Sequence, residues 1–234
     1  MHDTFRRLHE GRPREGRRGK GTTIDGFRLN EMVSQIAFGG RRGRVYRQIV
    51  SLSGVRPGDS VLDVGSSGGY LARKLAAAAG PAGQVTGVDP SAAAIAHAQR
   101  RARATGTLTF SVGVAQDLDL PDSSFDVVTC TLAVHHIPAR KREAAFREMF
   151  RVTKPGGRLL AADFDPSRRS PSLHPGGRRM HRAAATVGPL QELAAAAGYQ
   201  VESAGDLPLL RYIVAARPAD AQAGLHERPA LNQG

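Results

Sequence analysis

Two aspartates and a pair of histidines stand where side chains could do chemistry. Asp63 lies two residues before Gly65 in "VLDVGSSGGYLA", Asp89 ends the apolar run of "VTGVDPS", and His135 and His136 follow another such run in "CTLAVHHIP". A carboxylate at the end of a strand can accept both hydroxyls of a ribose, as Asp89 would, and a second one at the mouth of the neighbouring turn suits a cationic ligand group. An imidazole can take a proton from an oxygen or carbon acid. Each residue also has a plain structural use: Asp63 can cap local backbone donors, Asp89 can cap the helix after Ser91, and a histidine can pack in the loop before Pro138. The two aspartates around a single turn favour the ligand.

The turn itself narrows the ligand. A dinucleotide fingerprint G-x-G-x-x-G beginning at Gly65 requires glycines at 67 and 70, where this chain has Ser67 and Tyr70. A pyrophosphate, and with it a nicotinamide dehydrogenase, is disfavoured. S-adenosylmethionine carries a ribose, a sulfonium and an ammonium but no phosphate, which matches a close-approach turn flanked by acids. Methyl transfer from it is an in-line displacement that needs alignment and exclusion of water, with no metal and no covalent residue. A base is useful when the acceptor is a hydroxyl or an activated carbon, and His136, then His135, are the candidates.

These residues must be positioned by a parallel sheet. Short β-branched runs at 60–65, 84–89, 108–113, 125–132 and 157–164 alternate with helical patterns at 69–79, 91–104 and 140–152, the last carrying Phe146, Met149 and Phe150 on one face and stopped by "KPGG". A further helix is expected near 178–197. After Gly198, "YQVESAGDL" and "PLLRYIVAARP" lie too close together for a helical crossover and should pair as an antiparallel hairpin. Val45, Ile49 and Leu52 sit at helical spacing ahead of the first strand, with Tyr46 either closing over the site or packing as a core aromatic. The expected fold is α/β, a Rossmann-like doubly wound sheet.

Length and composition set the frame. With 234 residues, 41% hydrophobic, one core is expected. The divisions read from composition are a disordered basic arm over 1–29, a domain over 30–217 and a flexible tail over 218–234. The net charge of +12 is concentrated near the start, where positions 1–48 hold 12 basic and five acidic residues. An RNA-binding role for the arm is one reading; a solvated leader is the other. Arg168, Arg169, Arg178, Arg179 and Arg182 flank a segment expected to roof the acceptor pocket. No apolar run suffices for a membrane span, so no membrane insertion is expected, and the single Cys130 leaves no intrachain disulfide or cysteine-based metal site. A reducing cytoplasm is the expected location.

Between about Val45 and Arg217 the chain resembles the class I S-adenosylmethionine-dependent methyltransferases, in particular the type 11 group that includes quinone and other small-molecule methyltransferases. "VLDVGSSGG" resembles the cofactor loop, "VTGVDPS" the ribose strand, "DLPDSSFDVVTC" the approach to the fourth strand, and "RVTKPGGRLLAADF" the fifth strand with its turn. The resemblance implies a seven-stranded sheet with an antiparallel last strand, as the hairpin argument also suggests. It implies S-adenosyl-L-methionine as cofactor, with Asp63, Gly65 and Gly69 around the methionine end, Asp89 at the ribose and Leu132 offering backbone near the transferred methyl; Ser67, Pro90, Ala115 and Gln116 beside them are the further expected cofactor contacts. It aligns His136 with a histidine to which the phosphobase methyltransferases assign a catalytic role.

Two positions depart from the family. Ser67 replaces a usual glycine; a serine fits there if its backbone angles are ordinary, with its hydroxyl within reach of the carboxylate. Val114 stands where many relatives have an aspartate for the adenine amino group, leaving that end to packing, to backbone near Ala115, or to Gln116 or Asp117. The Asn-Pro-Pro-Tyr loop of amide methylation is absent, and Cys130 lies inside a strand, so a buried thiol is expected rather than cytosine chemistry. The leading expectation is methyl transfer to an oxygen or carbon of a small molecule. An RNA methyltransferase using the arm and a non-catalytic cofactor-binding protein are the alternatives.

Overall fold

The computed structural model describes residues 41–102, 106–164 and 190–219. The basic arm, the five arginines expected around the acceptor pocket, the first part of the helix expected at 178–197, and the tail beyond Ala219 lie outside the described residues. In chain order the elements are α1 (Arg42–Ser53), β1 (Ser60–Val64), α2 (Tyr70–Ala79), β2 (Gln84–Asp89), α3 (Ala92–Ala102), β3 (Leu108–Val112), β4 (Phe125–Thr131), α4 (Arg142–Val152), β5 (Thr153–Phe164), α5 (Leu190–Ala196), β6 (Gln200–Leu207) and β7 (Leu210–Ala216).

The strands join in one seven-stranded sheet of order β3-β2-β1-β4-β5-β7-β6. Strands β1 to β5 pair in parallel, and β7 runs antiparallel between β5 and β6. The order reverses between β1 and β4: β2 and β3 extend one way, β4 and β5 the other. Ligands bind in doubly wound sheets at the carboxyl ends of strands beside such a reversal, which puts the loops after β1 and β4 at the site.

Side-chain alternation divides the core between the two faces. Val61 packs with Val45, Ile49, Leu71, Leu75 and Ile95 from α1, α2 and α3. Leu62 and Val64 pack with Phe146, Met149, Val152 and Ala194 from α4 and α5. The α1 pattern works because Val45, Tyr46, Ile49 and Ser53 share its buried face, and Gly54 ends it in the left-handed conformation with its N–H on the Ser51 carbonyl.

The fifth strand departs from expectation by starting at Thr153 rather than 157. "KPGG" does end the preceding helix, yet its backbone is paired: the Gly156 N–H donates to the Arg217 carbonyl at 2.9 Å and the Arg217 N–H to Gly157 at 2.9 Å. Thr153 is fixed by its hydroxyl, 2.6 Å from the Met149 carbonyl and 2.7 Å from the Tyr199 hydroxyl. Breaker residues therefore stop the helix without delaying the strand.

Candidate active site

Loops of unusual backbone form the two walls of the crevice. Gly65 (φ +76°), Ser67 (φ +49°) and Gly69 (φ +73°) bend the loop after β1, while Leu132 (φ +56°) turns the chain out of β4. A Cβ on Gly65 would overlap the Ala133 side chain, so glycine there lets the two loops touch. Ser67 does not have the ordinary angles expected of a serine replacement. Its amide, not its hydroxyl, reaches a carboxylate, donating to Asp89 Oδ2 at 2.9 Å. A left-handed non-glycine residue costs about 1–2 kcal/mol, and positions of this kind concentrate at functional sites. Ser67 and Leu132 place one on each wall.

Between the walls lies an open cleft of about 710 Å³, counting the solvent at its mouth. Its lining includes Asp63, Ser66, Thr131, Leu132, His135 and His136, with Arg42 and Tyr46 contributed by α1. Asp63 is buried, and its Oδ1 accepts the Thr129 hydroxyl at 2.9 Å. Its Oδ2 has no hydrogen-bond partner, nor do the buried Ser66 Oγ and Thr131 Oγ1. Burial pushes the Asp63 carboxyl up to about 7; the Thr129 bond opposes this, and the Asp89 charge adds to it.

On the opposite wall, His135 Nδ1 lies 2.7 Å from Asp163 Oδ1, and the His135 amide donates to Asp163 Oδ2 at 3.0 Å. Asp163 is buried and also accepts the Phe164 amide at 2.7 Å. The carboxylate fixes the imidazole and favours the tautomer protonated at Nδ1, leaving Nε2 to accept a proton. His136 is exposed, its ring 3.9 Å from that of His135. Partial desolvation, then the neighbouring His135 charge, hold its pKa below the ordinary value.

A family model described as a methyltransferase domain matches residues 61–157, which contain both walls. This stretch of the chain is thus similar to a methyltransferase domain. The chain is 36% identical over 137 residues to a ubiquinone/menaquinone biosynthesis C-methyltransferase of Ectopseudomonas mendocina, a match covering 57% of this chain and 53% of the relative. It is 34% identical over 136 residues to a demethylmenaquinone methyltransferase of Symbiobacterium thermophilum, with the same coverage. The chain thus spans about half the length of the curated relatives it matches. Its fold is shared by an S-adenosylmethionine-dependent methyltransferase of Aquifex aeolicus (TM-score 0.64, 18% identity, 74% of this chain and 89% of that one). It is shared as well by geranyl diphosphate C-methyltransferase of Streptomyces coelicolor (TM-score 0.59, 16% identity, 75% and 79%), solved with Mg2+, geranyl diphosphate and S-adenosyl-L-homocysteine.

The atoms of the cleft fit S-adenosylmethionine. Three unpartnered oxygens, on Asp63, Ser66 and Thr131, answer the three N–H donors of an ammonium. Asp89 already accepts the Ser67 amide and, at 2.8 Å, the Ser91 amide. A carboxylate has roughly four acceptor positions, so two remain for ribose hydroxyls.

Of the residues singled out in the sequence, Asp63, Gly65, Ser67, Leu132, His135 and His136 line this one cleft. Gly69, Asp89, Pro90, Ala115 and Gln116 do not. Gly69 instead provides space for the Phe110 ring, which a Cβ would meet at 2.5 Å. Asp89 is joined to the cleft through Ser67, and Ala115 packs against the second core. Cys130 is fully buried, and burial raises its thiol pKa, so it behaves as a core residue. Sequence reasoning missed Asp163, Ser66, Thr131 and Arg42. Asp163 did carry a signal, being a carboxylate at the carboxyl end of a strand predicted to be buried.

Proposed function

We propose that the protein transfers a methyl group from S-adenosyl-L-methionine to an oxygen or activated carbon of a small phenolic or quinone-like acceptor in the cytoplasm. The observation that carries this reading is the His135–Asp163 pair, a fixed base facing the same cleft as the cofactor residues. The bound cofactor supplies an electrophilic methyl on a sulfonium. Asp63, Ser66 and Thr131 hold its ammonium, Asp89 its ribose, and the Leu132 backbone borders the reacting end. Ala115 and Gln116, with Pro90, remain the residues proposed for the nucleoside side.

His135 Nε2 takes the acceptor's O–H or C–H proton, and Asp163 steadies the resulting imidazolium through Nδ1–H. His136, the base first suggested by the sequence, rests against His135 and shapes the acceptor's approach. Tyr46 and Phe164 close the cleft against water. Similarity to quinone methyltransferases supports a small acceptor over RNA.

The test is transfer of labelled methyl to a panel of quinols and phenols by the wild type and by His135→Ala and His136→Ala proteins. Transfer abolished by His135→Ala and reduced only modestly by His136→Ala supports the assignment. Equal transfer by all three proteins refutes it, and label entering RNA but no small acceptor overturns the acceptor class.

A further inference from the structure

Among the described residues three charged side chains are buried: Asp63, Asp163 and Arg142. The two aspartates belong to the cleft; the arginine stands where physical chemistry argues against it twice. As the first residue of α4 it puts a positive charge at the end of a helix that favours a negative one. Its neighbours Arg140 and Lys141 are exposed, whereas Arg142 is only 5% exposed, and burying a cation costs free energy that an apolar side chain of similar size avoids. Burial accordingly pushes the guanidinium pKa below its ordinary value, and the charge of Asp163 opposes that shift. Positions that break local rules in this way are found at functional sites.

What Arg142 holds is the turn that carries the base. Its Nε donates to the Ile137 carbonyl at 3.0 Å. Ile137 closes the short 3-10 turn Val134–His136 by donating its amide to the Val134 carbonyl at 3.0 Å, and the His136 amide donates to Ala133 at 3.0 Å. The other end of the same turn is held by Asp163, which accepts the His135 amide and bonds Nδ1 of its ring. A buried carboxylate thus meets the turn at its N–H end and a buried guanidinium meets it at its carbonyl end, the polarity that peptide dipoles prefer. With both ends fixed, the His135 backbone is held where Nδ1 meets Asp163.

We propose that Arg142 is a positioning residue for the base: through the Ile137 carbonyl, and as a buried countercharge to Asp163, it holds the His135 ring in the geometry needed for proton transfer, an assignment that rests on the function proposed above. Arg142 itself does not line the cleft. Its removal therefore slows the chemical step and leaves ligand binding in place. A misplacement of about 1 Å at a reacting group can cost about 100-fold in rate. An arginine that served only the stability of the fold would instead leave every folded molecule as active as the wild type.

The test compares Arg142→Met, which removes both donor and charge, with Arg142→Lys, which keeps the charge but has no donor at the place of Nε. Two quantities are read on each full-length protein. One is the Nδ1–H proton resonance of His135 in protein labelled with 15N-histidine, assigned by its loss in His135→Ala. The other is labelled-methyl transfer to the best acceptor of the quinol and phenol panel, with kcat and KM separated and S-adenosylhomocysteine affinity measured alongside. The expected result is a kcat lowered roughly 10- to 100-fold in Arg142→Met and less in Arg142→Lys, with KM and S-adenosylhomocysteine affinity near wild-type values. The Nδ1–H resonance should broaden through exchange with water in the same order. If Arg142→Met does not fold, Arg142→Lys decides on the same readouts. Folded variants that keep either the wild-type resonance or the wild-type kcat overturn the proposal, as does a loss of ligand binding equal to the fall in kcat. A wild-type protein without an Nδ1–H resonance has no paired base to hold, which overturns it as well. Absence of transfer by the wild type to every acceptor counts against the proposed function, and the resonance alone then decides for or against Arg142.

Discussion

Replacing Asp63 by asparagine should make the ligand-free protein more resistant to high pH while removing its hold on the cofactor. The folded carboxyl sits at about 7 against the ordinary 3.8, chiefly through burial. Between those values the folded protein binds more protons than the unfolded chain, so stability falls as pH rises. At about 1.4 kcal/mol per pH unit, the penalty is roughly 1.5 kcal/mol at pH 5 and on the order of 4 kcal/mol at pH 8. The wild type thus loses about 2–3 kcal/mol across this range through Asp63 alone. Asp63→Asn keeps an acceptor for the Thr129 hydroxyl and carries no charge, but it leaves an unpaired buried amide that costs about 1–3 kcal/mol at every pH. The quantity to measure is therefore the difference between the two proteins. Urea unfolding of ligand-free protein at pH 5, 6.5 and 8 should show that difference moving by about 2–3 kcal/mol in favour of Asp63→Asn. Parallel stability profiles would refute the reasoning, because they would mean that the wild-type carboxyl is ionised in the fold throughout.

Three further outcomes follow from the same geometry. The wild type should bind S-adenosylhomocysteine more weakly as pH falls below about 7, because protonated Asp63 no longer offers a carboxylate to the ammonium, and calorimetry at pH 6 and 8 should find this dependence absent in Asp63→Asn. Ser67→Gly removes a side chain from a backbone at φ +49° and should stabilise the fold by up to about 1 kcal/mol, while keeping the amide bond to Asp89; denaturant unfolding that shows a loss of stability contradicts the strain assigned to Ser67. Asp163→Asn should lower turnover about 10²- to 10⁴-fold, with S-adenosylhomocysteine affinity unchanged; unaltered turnover removes Asp163 from proton transfer.

The sheet was legible because periodicity reports burial. The apolar runs ending at Asp63 and Asp89 became β1 and β2, and the short link between the last two strands required an antiparallel pair. Residues of the cleft were legible where spacing tied them to a strand end, as with Asp63, Gly65 and Leu132. Other features were not. The preference between His135 and His136 depended on a carboxylate 28 positions away, which no local pattern specifies. Ser67 tolerates its left-handed angle because its amide is anchored on Asp89, a contact across 22 positions. Gly69 reads like a ligand contact, yet it serves a ring from β3. Arg42 reads as one more exposed arginine until Tyr46 and Tyr70 are brought around it.

The most direct test of the central claim is calorimetric titration of the full chain with S-adenosylhomocysteine, beside the Asp89→Ala protein and with NADH as control. The account predicts micromolar binding of S-adenosylhomocysteine, its loss in Asp89→Ala and no binding of NADH. A folded wild-type protein that binds NADH, or binds S-adenosylhomocysteine equally well without Asp89, would contradict it.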